Sequence, residues 1–353
     1  MKRTDNPRAR EIQDRSMSRG ARHEGEPAPT FPCIVSAPPV PSTLAIIAGS
    51  GSYPLLMARA ARAAGVRRLA AAAFQNETDP ALSSAVDEIE WMRVGQLGKM
   101  LAFLQKSGAT HAVMSGQIHP KNLFELRPDM KALVVLAKLR ERNAETIFGA
   151  IADEMAKSGV ELLPATTFMD EYLAPTGLIA GPKLNAREEA DVAFGFRIAK
   201  QTSALDIGQT VVVKAGTVLA VEAFEGTNSA MQRGGELGRG GSVMVKVSKP
   251  DQDFRFDVPV IGPVTIETAH RAKVRVLGVE AGRTLLLERR RLLALADELR
   301  ISIFGVATYI NSSQPIFSMA AFSSALSSSS NFFCSQSSGM SCVKSVNSST
   351  PLK

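Results

Sequence analysis

Apolar and polar positions along the chain alternate between short, wholly apolar runs and stretches of helical period. Leu44–Ala48 is an apolar run of the kind buried on both faces of a parallel sheet. Gly49-Ser50-Gly51 breaks it, Pro54 falls in a first helical turn, and Leu55–Ala64 supplies a helix that Gly65 stops. The same alternation predicts strands at Leu69–Phe74, Ile89–Met92, His111–Ser115 and Val160–Leu163, with helices around Leu97–Ser107 and Met130–Ser158. Strand, glycine turn and helix in repetition predict an α/β fold whose residues 43–173 form a Rossmann-like parallel-sheet domain.

From Ala174 to Asn185 proline and glycine recur without periodicity, so 174–185 reads as a linker. Beyond it, Ala186–Thr202 has helical spacing, and Thr210–Lys214 with Thr217–Glu222 reads as a hairpin across Ala215-Gly216. Further strands are expected at Ser242–Val247, Val274–Glu280 and Thr284–Leu287, and helices at Ala230–Leu237 and Arg289–Leu299. Residues 186–306 are thus a C-terminal mixed α/β domain, with a ligand expected in the cleft between the two halves. Residues 1–42 and 307–353 show no hydrophobic periodicity, and the latter hold sixteen serines and two charges, so both are expected to be disordered.

The net charge of +7 over 353 residues suggests a nucleic-acid partner until it is divided. The two ends carry +4 between them, leaving +3 for the body, too balanced for a nucleic-acid groove yet suited to phosphorylated ligands or an anionic membrane. Cys33, Cys334 and Cys342 lie in the outer regions, which excludes a disulfide framework, a cysteine nucleophile and a zinc-thiolate site from the body. His23, His111, His119 and His270 are too scattered for paired metal ligation and read as structural or peripheral. No apolar run approaches a membrane span and no signal peptide is evident, so a cytoplasmic location is expected.

The densest chemistry lies between Val245 and Gly262, V-K-V-S-K-P-D-Q-D-F-R-F-D-V-P-V-I-G. Read as one strand, it puts Asp253, Arg255 and Asp257 on one face and Gln252, Phe254, Phe256 and Val258 on the other. Lys246, Lys249 and Arg255 suit phosphate oxygens with Gln252 beside them, while Asp257 among cations could orient water, act as a base or hold a metal ion. The plainer reading is a solvated edge strand, which Pro250 and Pro259 favour.

Two glycine loops follow predicted strands: Gly49-Ser50-Gly51-Ser52-Tyr53-Pro54 and Ser115-Gly116-Gln117-Ile118-His119-Pro120-Lys121. Carboxyl ends of parallel strands are where such sheets bind ligands, so Gly49, Gly51, Gly116 and Gln117 together suggest a nucleotide pocket. The ribose-binding acid of a dinucleotide fold is missing, since Leu69–Gln75 carries no carboxylate. Glu222-Ala-Phe-Glu225-Gly226-Thr227 ends a strand in a turn that can present Glu225 and Thr227, Thr227 or Asn228 serving equally as a helix cap.

Together these motifs resemble the LpxI-type UDP-2,3-diacylglucosamine pyrophosphatases of lipid A biosynthesis. The resemblance covers nearly all of 43–306 and is carried by I-I-A-G-S-G-S-Y-P, S-G-Q at 115–117, D-I-G-Q at 206–209, V-E-A-F-E-G-T at 221–227 and the long block above. It implies two domains around the substrate and cleavage of its pyrophosphate by water, with Mg²⁺ assisting, to UMP and 2,3-diacylglucosamine 1-phosphate. It places the family's catalytic aspartate on Asp257 and substrate contacts on Gly51, Gly116, Gln117 and Thr227; where the family has Asp after Gly-Thr, this chain has Asn228. It also implies a lipid-linked UDP-sugar as partner and a peripheral, transient contact with the cytoplasmic face of the inner membrane. Acyl chains need an apolar lining, for which Leu133, Val134, Leu136 and Ala137 are one source, although core packing explains that stripe equally. A nicotinamide-dependent oxidoreductase and a non-catalytic nucleotide-sugar or lipid binder are the rival readings.

Overall fold

The computed structural model describes residues 40–118, 128–141 and 143–307. All but 40–42 of the expected N-terminal extension, all but Ala307 of the serine-rich tail, and His119, Pro120 and Lys121 lie outside the described residues.

The first lobe runs β1 (Thr43–Ala48), α1 (Tyr53–Ala63), β2 (Arg68–Phe74), β3 (Glu88–Met92), α2 (Leu97–Lys106), β4 (His111–Ser115), α3 (Met130–Lys138), α4 (Ala144–Lys157) and β5 (Glu161–Leu162). Its five strands are all parallel in the order β3-β2-β1-β4-β5. The Leu-Ala-Ile-Ile-Ala and Leu-Ala-Ala-Ala-Ala runs of β1 and β2 are buried because helices cover both faces. One face packs on α1 and the other on α2, α3 and α4. The single helical stretch expected over Met130–Ser158 is two helices. Leu139 leaves helical geometry, and Asn143 starts α4 by accepting a hydrogen bond from the Thr146 amide at 2.8 Å.

The second lobe follows as β6 (Gly177–Ala180), α5 (Ala186–Ala204), β7 (Thr210–Lys214), β8 (Thr217–Val221), α6 (Thr227–Gly238), β9 (Ser242–Lys246), β10 (Val260–Ile261), α7 (Pro263–Arg271), β11 (Val274–Glu280), β12 (Leu285–Leu286), α8 (Arg289–Glu298) and β13 (Ser302–Val306). Its mixed sheet has the order β6-β13-β11-β9-β7-β8, with α5 on one face and α6, α7 and α8 on the other. Strand β6 forms inside the stretch read as a linker, because β13 offers it an antiparallel edge. Asn185 opens α5 with a reciprocal capping box to Glu188.

The block read as one strand from Val245 to Gly262 is not one. β9 ends at Lys246, residues 247–259 form an irregular strap, and only Val260–Ile261 is extended, pairing parallel with Leu285–Leu286. The expected division of faces fails with it, since Gln252 bonds Asp257 and Arg255 folds back on Asp253. Local turns override the alternation: the Asp253 carboxylate accepts from the Arg255 amide at 3.0 Å, an Asx-type closure that no strand contains.

The strap ties the two lobes together. Its Phe254 carbonyl accepts from the Ala165 amide at 2.7 Å, and Phe256 stacks on Phe148 of α4 with ring centroids 5.5 Å apart. Val258, Val260, Leu285 and Leu287 pack into the same cluster as α1. Among the described residues no helix is long and apolar enough to cross a membrane.

Candidate active site

The carboxyl ends of β1 and β4 meet the strap across a cleft of about 1180 Å³. On the first-lobe side the two glycine loops are zipped to each other. The Gly49 amide donates to the Ser115 carbonyl at 2.8 Å, the Ser50 amide to the Gln117 carbonyl at 2.7 Å, and the Gln117 amide returns to Ser50 at 3.3 Å. A Cβ on Gly116 would stand 2.6 Å from the Ser50 carbonyl oxygen, and its φ of +87° is itself a glycine conformation. Gly116→Ala should therefore cost about 2 kcal/mol of stability in denaturant titration. Gly51 has the same φ of +87° but open space around it, so Gly51→Ala should lose about half as much. Equal losses would show that loop contact does not set the requirement.

On the second-lobe side, Asp257 is exposed to the cleft. Its Oδ2 accepts from the amide nitrogens of Gln252 and, at 3.4 Å, Gln209; Gln252 also reaches the Asp257 carbonyl at 3.1 Å. None of these bonds uses Oδ1, so the two amides fix one carboxylate oxygen and leave the other free of them. Gln252 is in turn fixed by the Lys249 amide, 2.7 Å from its Oε1.

Lys246, at the end of β9, is half-buried and donates to the Thr227 hydroxyl at 3.2 Å; that hydroxyl donates to Glu222 Oε1 at 2.9 Å. Burial pushes the Lys246 ammonium below the ordinary lysine range, against the pull of Glu222 and Asp257. Lys249 shows the opposite balance: burial alone would lower it, but its bond to Asp206 carries it above the usual value.

Gly49, Gly51, Gly116, Gln117, Glu225, Thr227, Lys246, Lys249 and Asp257 all line this one cleft. Gln252 lines a smaller adjoining pocket of about 220 Å³ that Lys249 and Asp257 share, and its amide holds the Asp257 carboxylate. Arg255 does not reach the cleft lining; its guanidinium closes on Asp253 at 2.7 Å. Glu225 lines the cleft but is held by Arg233 at 2.6 Å, which keeps its carboxyl below the ordinary glutamate range. Leu133, Val134 and Ala137 are exposed and are not part of the cleft lining; the apolar cleft wall includes Phe74, Met100, Met114, Ile118, Phe148 and Ile151 instead.

Three site residues went unselected in the sequence. Gln209 lay within the D-I-G-Q motif without an assigned role. Glu222 read only as a strand-end acid, and Ser115 as the residue where a strand passes into the second glycine loop, without a role of its own. Glu222 Oε2 and Ser115 Oγ are buried in the cleft wall without a hydrogen-bond partner among the described residues, as are Ser242 Oγ and Thr284 Oγ1 outside the cleft lining. Among those residues no three acids, histidines or cysteines gather into a metal cage. Mg²⁺ does not need one, since one or two carboxylates suffice when substrate phosphates and waters complete the octahedron. Asp257 Oδ1 and Glu222 Oε2 fit that donor set.

Residues 43–172 match the LpxI N-terminal domain family and residues 175–304 the LpxI C-terminal domain family. A Caulobacter vibrioides protein named UDP-2,3-diacylglucosamine pyrophosphatase LpxI is 32% identical over 274 residues, covering 74% of this chain and 97% of its own. Among solved structures, the biotin carboxylase domain of Hydrogenobacter thermophilus 2-oxoglutarate carboxylase aligns at 16% identity and a TM-score of 0.22. That alignment covers 50% of this chain and 35% of that one, too slight a likeness to inform either fold or site. With both lobes matched in order and nearly the whole relative covered, the chain belongs to the LpxI family.

Proposed function

We propose that the chain hydrolyses the pyrophosphate bond of UDP-2,3-diacylglucosamine to UMP and 2,3-diacylglucosamine 1-phosphate in lipid A biosynthesis. The observation that carries the reading is the carboxylate of Asp257, held by two amides and lining a cleft whose other walls are glycine loops, Lys246 and Thr227. The backbone of the Gly49–Gly51 and Ser115–Gln117 loops approaches the nucleotide half closely, as only glycine allows. Lys246 and Lys249 neutralise nonbridging oxygens of the diphosphate. Asp257 orients water and takes its proton as the water oxygen bonds to phosphorus and the bridging P–O bond breaks. Mg²⁺, when bound, would add charge neutralisation at the phosphates, with Asp257 and Glu222 holding it. The apolar wall from Phe74 to Ile151 takes acyl chain. Two such chains keep the substrate in a bilayer, so turnover occurs against the cytoplasmic leaflet of the inner membrane.

Incubation of the chain with UDP-2,3-diacylglucosamine should release UMP, and a chelator should suppress the release until Mg²⁺ is returned. Tight binding without UMP would instead make the chain a lipid-nucleotide carrier. A nicotinamide enzyme is disfavoured by β2 itself, whose Leu69–Gln75 stretch carries no carboxylate, while the Thr78 hydroxyl beyond it is taken up in bridging the Phe74 amide and the Ala48 carbonyl.

Lys246 gives the reaction a pH signature. An ordinary lysine loses its proton near pH ~10.4, and burial lowers this one, so activity should fall on the alkaline side before that value. Lys246→Arg keeps the charge at all such pH values and should move the alkaline limb upward in rate measurements, at some cost in rate from the altered geometry. An unmoved limb would remove Lys246 from the titration.

A further inference from the structure

We propose that the outward face of α3 is the surface by which the chain docks on an anionic lipid bilayer. The inference rests on the diacyl substrate named above and locates where its membrane is met. Helix α3 is amphipathic in both directions. Ala132 and Val135 are buried in the core that also holds Met100, Leu104 and Met155, while Met130, Leu133 and Val134 stand 75%, 46% and 47% exposed. With Ala137 these exposed positions follow the spacing i, i+3, i+4, i+7, a continuous outward stripe on one helix face. Single exposed apolar residues need no explanation; a stripe at helical period does.

Charge decides the partner. Two exposed cations at the C-terminal end of the helix, Lys138 and Arg140, have no ion-pair partner among the described residues, while Lys131 is paired with Glu154; the flanking acids are Asp129, whose carboxylate caps the helix start, and Glu141. Apolar side chains flanked by lysine and arginine are the chemistry of a helix lying in a lipid interface, where the cations reach anionic headgroups. A second protein surface of ordinary mixed charge gains nothing comparable from these cations. The stripe sits on a fixed support: Lys131 bridges to Glu154 of α4 at 2.5 Å, and Lys157 joins the same carboxylate at 2.8 Å. The two cations hold the Glu154 carboxyl down at about 2, so the clamp persists through the physiological range. The inner side of α3 belongs to the same hydrophobic cluster as Met114, Ile118 and Ile151 of the cleft wall. Bilayer contact and acyl-chain wall thus adjoin one apolar layer.

The test uses the full chain with vesicles of phosphatidylethanolamine containing phosphatidylglycerol, and neutral phosphatidylcholine vesicles as control. The wild type should co-sediment with the anionic vesicles. Leu133→Glu with Val134→Glu should weaken that binding by about tenfold or more, and Lys138→Glu with Arg140→Glu by about fivefold per cation. UMP release from vesicle-embedded substrate should fall in parallel, while release from detergent-dispersed substrate and the melting temperature stay at wild-type values. Wild-type binding by the acidic double variant overturns the proposal, as does a wild type that ignores anionic vesicles. So does a wild-type dimer in light scattering that the double variant reduces to monomer, which would give the face to a second copy. Failure of the wild type to hydrolyse dispersed substrate would instead defeat the assigned reaction, leaving the vesicle arm to be judged by itself.

Discussion

Asp257→Asn is expected to lower kcat by about 10³-fold, with KM changed by no more than about threefold. The substitution is isosteric, and the neighbouring amides make it more telling than its shape suggests. Gln209 and Gln252 both donate toward the position of Oδ2. An asparagine in this clamp satisfies them only by placing its single carbonyl oxygen there, which puts its NH₂ group where the free oxygen stood. That group can neither accept a proton from water nor hold a cation, whereas the fold and the cleft walls are untouched. Gln252→Ala, which leaves the carboxylate but frees it to rotate, should lose less, about tenfold, again in kcat. Single-turnover UMP release and substrate binding by calorimetry separate the two parameters. Wild-type turnover by Asp257→Asn would move the chemistry elsewhere in the cleft, with Glu222 the next carboxylate to examine.

Much of the first lobe is legible in its residues. The Leu-Ala-Ile-Ile-Ala run of β1 is buried throughout, and an unalternating run is what a strand covered on both faces must carry. Each glycine loop then follows at a strand's carboxyl end, so the first-lobe glycine loops of the cleft could be named from the sequence. The strap between Lys246 and Val260 was not legible as structure, although its chemistry was. Its alternating polar and aromatic residues imitate a strand. Its course is decided by partners remote in sequence: Glu280 at Ser248, Ala165 at Phe254 and Phe148 at Phe256. Arg255 is outside the cleft lining for a local reason, since the aspartate two residues away takes its guanidinium. Helix α7 was missed because Val264, Thr265, Ile266 and Thr268 are β-branched and weak helix formers. Pro263 in its first turn, and Thr265 accepting from the Gly262 amide at 3.2 Å, start it nonetheless. Strand β13 depends on parallel pairing with β11, a long-range contact that its own Ser-Ile-Phe-Gly-Val sequence does not announce.

Glu280→Ala is expected to destabilise the chain by about 3–5 kcal/mol and to lower Tm by about 10 °C. The Glu280 side chain is 0% exposed at the end of β11 and is surrounded by donors. It takes two bonds from the Lys200 ammonium at 3.1 and 3.2 Å and two from Ser248, amide and hydroxyl, each at 2.8 Å. Arg283 approaches to 3.9 Å and also covers the Phe254 ring at 5.2 Å. The acid is there because the chain leaves β9 just before Ser248, so the backbone of that residue has no neighbouring strand to satisfy it. Alanine strands a largely buried ammonium and orphans the Ser248 amide together. It also loosens the root of the strap that carries Lys249 and Asp257, so kcat should fall at temperatures where the variant is still folded. Lys200→Met combined with Glu280→Leu separates the two costs. Removing both charges should recover part of the lost Tm, because the buried ammonium is gone and the half-exposed Arg283 can turn to water, but Ser248 remains unsatisfied and kcat should stay low. A Glu280→Ala protein that melts with the wild type would show that the strap is held by its aromatic anchors alone.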